Sequence, residues 1–122
     1  MGAYAELSQA EQVRRIRASL LDLLRVQGIS YLRIRLVNHS FNTTFRVLLP
    51  EGEAAIRVNV NSRRTLEQVR GEIQWTQAIY RSGEVEAPVP MPLFGGLPLT
   101  TMRVDGLDRD LPVVSYSWLP GR

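Results

Sequence analysis

Three short polar side chains, Ser40, Asn42 and Thr43, fall in a break between two stretches of alternating polar and apolar residues. Small side chains and free backbone N–H groups at such a turn have the chemistry to cradle phosphate. An ordinary polar hairpin connection is the competing explanation. Further on, Ala55 and Arg57 share one side of an alternating run, and Glu72 borders the apolar stripe of a helical pattern. A guanidinium holds phosphate or carboxylate through paired donors, and a carboxylate at the edge of a buried face needs a cationic partner. Against that stand two plainer readings: Arg57 as an exposed strand arginine like Arg33 or Arg35, and Glu72 as a solvated helix residue.

Other chemistries are excluded by what the chain lacks. His39 is the one histidine and there is no cysteine, so no histidine-based triad, multi-histidine metal site, thiolate site or disulfide can form. A loop histidine of this kind is expected to be solvated. All 15 basic residues are arginine, which stays protonated and so cannot serve as a Schiff-base nucleophile or tunable base. Asp105, Asp108 and Asp110 cluster without the rest of a calcium-loop pattern. Scattered arginines with no stacking aromatics make no nucleic-acid surface. The 122 residues, 44% hydrophobic and 22% charged, suit one globular domain with a net charge of +3. No stretch is apolar enough to span a bilayer and no signal peptide opens the chain, so the expected location is cytoplasmic.

The elements that must position these residues follow from periodicity. Residues 8–27 predict an amphipathic helix, with a capping box at Ser8 and Glu11, an apolar stripe of Val13, Ile16, Leu20, Leu23 and Leu24, and Gly28 as the stop. Arg14, Arg15 and Arg17 are expected on its solvated side. Residues 31–37 predict a half-buried strand with Leu32, Ile34 and Leu36 inward, broken at 38–42. Strands at 43–49 and 54–60 follow, joined by a hairpin turn at 50–53. A second helix spans 65–82, with Thr65 and Gln68 as its capping box and Leu66, Val69, Ile73, Thr76 and Tyr80 buried. The proline-rich stretch 84–98 reads as an extended connection, and strands at 99–104 and 112–118 flank a polar turn at Asp105-Gly106. Helix, three strands, helix and two strands make an α+β domain.

In that order the chain resembles the N-terminal lobe of the aminoglycoside phosphotransferase family, which includes choline kinases and homoserine-kinase-like enzymes. The resemblance covers about residues 30–122. It rests on Asn38-His39-Ser40-Phe41-Asn42-Thr43-Thr44-Phe45-Arg46-Val47, Ala55-Ile56-Arg57-Val58, Glu72, Ala87-Pro88-Val89-Pro90-Met91-Pro92 and Trp118-Leu119-Pro120-Gly121. The resemblance implies a protein-kinase-like N-lobe: a five-stranded antiparallel sheet, an N-terminal helix and one helix equivalent to the kinase αC. Residues 1–29 would be a helical extension and 30–122 the lobe, ending at the hinge.

By the same resemblance, Ser40, Asn42 and Thr43 lie at the nucleotide phosphates and Ala55 roofs the base. Arg57 holds the α- and β-phosphates in place of the usual kinase lysine, braced by Glu72. The Ser117 carbonyl and Leu119 N–H face the adenine, with Tyr116 behind them. The implied cofactor is ATP or GTP with Mg²⁺ in a complete enzyme, and none for these residues by themselves. Metal ligands and the His-x-Asp-x-x-x-x-Asn catalytic loop belong to a second lobe that is expected to be absent here. The acceptor hydroxyl could belong to an aminoglycoside, choline, homoserine or a similar metabolite. An isolated lobe would also be expected to self-associate, through an exposed hinge end around Trp118 and an open edge on its last strand. The alternative is a free-standing α+β binding or oligomerisation module with no nucleotide role.

Overall fold

The computed structural model describes residues 4–40, 42–60, 67–74, 89–107 and 109–118. Helix α1 runs from Gln9 to Val26. Its start is the predicted one: Ser8 takes extended backbone angles and its Oγ accepts the Glu11 N–H at 3.1 Å. The box closes on one side, because Glu11 turns its carboxylate to Arg14 at 2.6 Å and Arg15 at 3.1 Å. At the other end Gly28 adopts φ 71, its N–H bonds the Arg25 carbonyl, and the Ile29 N–H reaches back to the Leu24 carbonyl. That pair of bonds is a Schellman stop, which a side chain at position 28 would strain.

Five strands follow: β1 (Arg33–His39), β2 (Thr43–Leu49), β3 (Gly52–Val58), β4 (Leu99–Met102) and β5 (Leu111–Ser117). They form one sheet in the order β1-β2-β3-β5-β4, every neighbouring pair antiparallel. Gly52, at φ 149, leaves the two-residue Pro50-Glu51 connection by a conformation closed to side chains. Strict alternation in β2 buries Thr43, Phe45, Val47 and Leu49 against Ile16, Leu20 and Leu24 of α1, with Ile56 and Val58 of β3 and Val113 of β5 in the same core. A second helix, α2, is described over residues 67–74. Its Val69 and Ile73 pack with Val114, Leu99 and Tyr116, whose side chains leave the sheet on the other face. The sheet therefore lies between two helices. None of the helices among the described residues is long and apolar enough to cross a membrane.

Several expectations need correction. Strand β1 is not half-buried: Leu36, expected inward, is 39% exposed, and Leu32, just before the strand, 69%, because an edge strand overhangs the width that one helix can cover, and Ile34 alone of its apolar residues packs against the core. Nor does the strand break at Asn38. The register slips between Leu36 and Asn38, a bulge that turns Asn38 and His39 each to the face opposite the one alternation assigns. Arg15 and Arg17 are not simply solvated: Arg15 Nη1 donates to the Asp105 carbonyl at 3.2 Å, and the Arg17 guanidinium lies 5.6 Å from the Phe45 ring centroid. Finally, β5 is an inner strand. It has β3 on one side and β4 on the other, and the backbone at 89–91 continues along it, with Ser117 N–H to Val89 O at 2.7 Å and Met91 N–H to Ser115 O at 2.9 Å. The open edge expected there does not exist.

Candidate functional site

The face of the sheet turned away from α1 is set by cross-strand register. Arg35, Arg46, Ala55 and Tyr116 form one row across β1, β2, β3 and β5, and Asn38, Thr44, Arg57, Val114 and Leu99 form the next. Helix α2 covers the β5–β4 end of this face. Alternation within β3 brings Arg57 to the margin of that cover, where its Nη2 donates to Glu72 Oε1 at 3.1 Å. The two side chains are 23% and 28% exposed, so the pair borders solvent without being open to it. Its guanidinium lies 5.4 Å from the centre of the Tyr116 ring, a cation held over a π face. Arg57 Nε is buried with no hydrogen-bond partner. A strand cation braced by a helix carboxylate, with a donor still to spend and a small residue, Ala55, beside it, is suited to binding an anion below the sheet.

The loop before β2 is built by the bulge. Asn38 Nδ2 donates to Ser40 Oγ at 3.1 Å, and the Ser40 N–H closes onto the Asn42 carbonyl at 3.1 Å. Asn42 Oδ1 is buried and unbonded. Thr43 goes the other way: its side chain is fully buried on the α1 face, and its hydroxyl meets His39 Nδ1 at 2.7 Å. That hydroxyl is committed to the core side, away from Arg57.

His39 itself is half-buried, contrary to the expectation of a solvated ring. Gln12 uses Nε2 to donate to the Tyr4 and Leu7 carbonyls, which leaves its Oε1 to accept from His39 Nε2–H at 2.9 Å. The ring is then the Nε2–H tautomer, with Nδ1 accepting from Thr43. Burial pushes its pKa down, consistent with that neutral form.

Of the residues singled out from sequence, the structure brings Ala55, Arg57, Glu72 and Tyr116 together. Ser40 and Asn42 lie in the adjoining loop. Ser117 pairs with Ala54 and its Oγ accepts the Val89 N–H at 3.0 Å, so its side chain serves the 89–91 segment. Its N–H points off the β3 ladder, and its carbonyl must leave on that same side. Leu119 lies outside the described residues, as do Thr65, Trp75, Thr76 and Tyr80. Arg46, not among the residues singled out from sequence, bonds the Glu53 carboxylate through Nε and stacks its guanidinium 4.6 Å from the Trp118 ring centre. The hydrogen bond from Arg46 holds the Glu53 carboxyl below the usual range, and the charges of Arg46 and Arg35 add to it. The available signal was parity: Arg46 sits opposite the apolar positions of β2 just as Arg57 does in β3. Among the described residues no group of three or more acidic or histidine side chains is placed to hold a metal ion.

No family model matches the chain, and neither does any curated protein. Solved structures do, two kinases among them. A microcompartment-associated aminopropanol kinase superposes with a TM-score of 0.66 at 23% identity, over 84% of this chain and 32% of its own. An amicoumacin kinase solved with AMP-PNP and Ca²⁺ superposes with a TM-score of 0.69 at 15% identity, over 89% of this chain and 34% of its own. The chain spans about a third of the length of the kinases it matches. What the chain shares with these kinases is the fold of about a third of each: the five-stranded antiparallel sheet with its helices.

Proposed function

We propose that this chain is the nucleotide-binding lobe of a small-molecule phosphotransferase, with residues 1–29 as a helical extension and 30–122 as the lobe itself. The observation that carries the reading is the Arg57–Glu72 pair, which ties β3 to α2 on the face left open. In kinase-like phosphoryl transfer a strand cation braced in this way holds the α- and β-phosphates. The orphan Arg57 Nε and Asn42 Oδ1 fit a polar ligand entering between loop and sheet. Ala55 leaves room for the base, and the Ser117 carbonyl and Leu119 N–H would meet its edge. ATP or GTP would supply the phosphoryl group. Mg²⁺ ligands and the aspartate that orients the acceptor hydroxyl would come from polypeptide beyond these residues. The kinase structures that share the fold favour this reading over a free-standing binding module.

Titration of the chain with a fluorescent ATP analogue tests it. Arg57→Gln is expected to weaken binding about tenfold, close to 1.4 kcal/mol, and Glu72→Gln by less, since it removes the brace and leaves the cation. Arg57→Lys should recover part of the loss. Equal affinity in all four proteins would overturn the assignment. Competition by unlabelled ATP against GTP identifies the base.

A further inference from the structure

The same sheet face carries a second concentration of positive charge, away from Arg57. A cavity of about 130 Å³ lies between Arg33 and Arg35 of β1, Arg46 and Leu48 of β2, and Glu53 of β3. Three guanidiniums against one carboxylate give it a formal charge of +2. Glu53 is already engaged by Arg46, whereas Arg33 and Arg35 have no ion pair among the described residues. Arg35 faces Arg46 directly across the ladder, and like charges in that position destabilise a sheet. Arg33 stands two residues along on the same face. An arrangement that repels itself becomes favourable once an anion enters the middle.

The chemistry narrows the anion. A phosphate monoester carries close to two negative charges at neutral pH, matching the cavity, where one carboxylate would cancel half. Guanidinium forks bind phosphate oxygens in pairs. The volume is well below the roughly 300 Å³ at which pockets for whole drug-sized ligands begin, so it suits one phosphoryl group and not a nucleoside. Arg46 is held before any ligand arrives, between the Trp118 ring and the Glu53 carboxylate, which reduces the ordering cost of binding. We propose that Arg33, Arg35 and Arg46 form a phosphate-monoester subsite separate from Arg57. The β1 arginines lie two strands from Arg57 of β3, about 10 Å, while Arg46 is the direct cross-strand partner of Ala55. The inference does not depend on the nucleotide reading.

The test follows the arginine Nε–H signals of the ¹⁵N-labelled chain during titration with inorganic phosphate at constant ionic strength. Arg33, Arg35 and Arg46 are expected to shift together along one saturable curve. Arg33→Gln/Arg35→Gln should weaken the response at least tenfold, and Arg57→Gln should leave it within twofold. Both β1 arginines are exposed, so the backbone amide spectrum should stay unchanged, and the single variant Arg35→Gln should move affinity in the same direction. Glycerol 3-phosphate should match inorganic phosphate if the subsite takes esters, and acetate should bind more weakly than either. A response that does not saturate, survives the double substitution, disappears in Arg57→Gln, or is equalled by acetate would overturn the proposal.

Discussion

The His39 ring is held at both nitrogens, by the Thr43 hydroxyl at 2.7 Å and by Gln12 Oε1 at 2.9 Å, and so links the loop before β2 to α1. Burial lowers its pKa in the folded chain. Below the ordinary value of about 6.5 the unfolded chain takes up a proton that the folded chain resists. The contribution of the neutral ring is therefore complete above that pH and is lost as pH falls through the window beneath it. Glu11, held at about 2 by hydrogen bonds from Arg14 and Arg15, acts in a lower window, below the ordinary carboxylate range. The melting temperature should accordingly drop between pH 7 and pH 5, and His39→Gln should flatten that slope. A slope unchanged in the variant would mean that the ring is not the titrating group. Sequence could name Arg57, Glu72, Ala55 and Tyr116, because strand parity and the helical stripe fix which side each takes. It could not place His39, whose face depends on a bulge that no glycine or proline marks, whereas Thr43 shares the parity of Phe45, Val47 and Leu49 and so belongs to the covered face.

Helix α1 is the element whose stability is most directly assignable. Loss of the Ser8 Oγ cap in Ser8→Ala should cost about 1 kcal/mol, and truncation of the fully buried Leu20 in Leu20→Ala about 2–5 kcal/mol. Urea unfolding of both variants checks the order. A larger loss for Ser8→Ala would mean that the helix end, and not its packing on β2, limits stability. This helix and β2 were readable from periodicity because each has one covered and one open side, which is what the pattern reports. Strand β1 misled for the same reason: Leu32, just before it, and its Ile34 and Leu36 alternate as an inward face should, yet the edge position leaves Leu32 at 69% exposure and Leu36 at 39%. Pairing partners were less legible still. Nothing local in Leu111–Ser117 distinguishes an inner strand from an outer one, and its place is decided by β3 and β4, which lie elsewhere in the chain.

At the scale of the molecule, the order β1-β2-β3-β5-β4 sets a schedule for synthesis. The first three strands pair as consecutive hairpins and can form as they leave the ribosome. Strand β4 has β5 as its sheet neighbour, so it must wait for residues made after it. Strand β3 waits as well, with one edge unpaired until Ala54 meets Ser117 and Val58 meets Val113. Pairings so distant in sequence close slowly, and an open edge during that delay invites association between nascent chains. A chain stopped at residue 110 should therefore lack a cooperative thermal transition, although it contains α1 and four of the five strands. Scanning calorimetry of that shortened chain beside the 122-residue one checks this, and a sharp transition in the shorter chain would show that the first three strands and α1 are sufficient. Because the last strand made sits between two made before it, the nascent sheet cannot be assembled in the order in which it is translated.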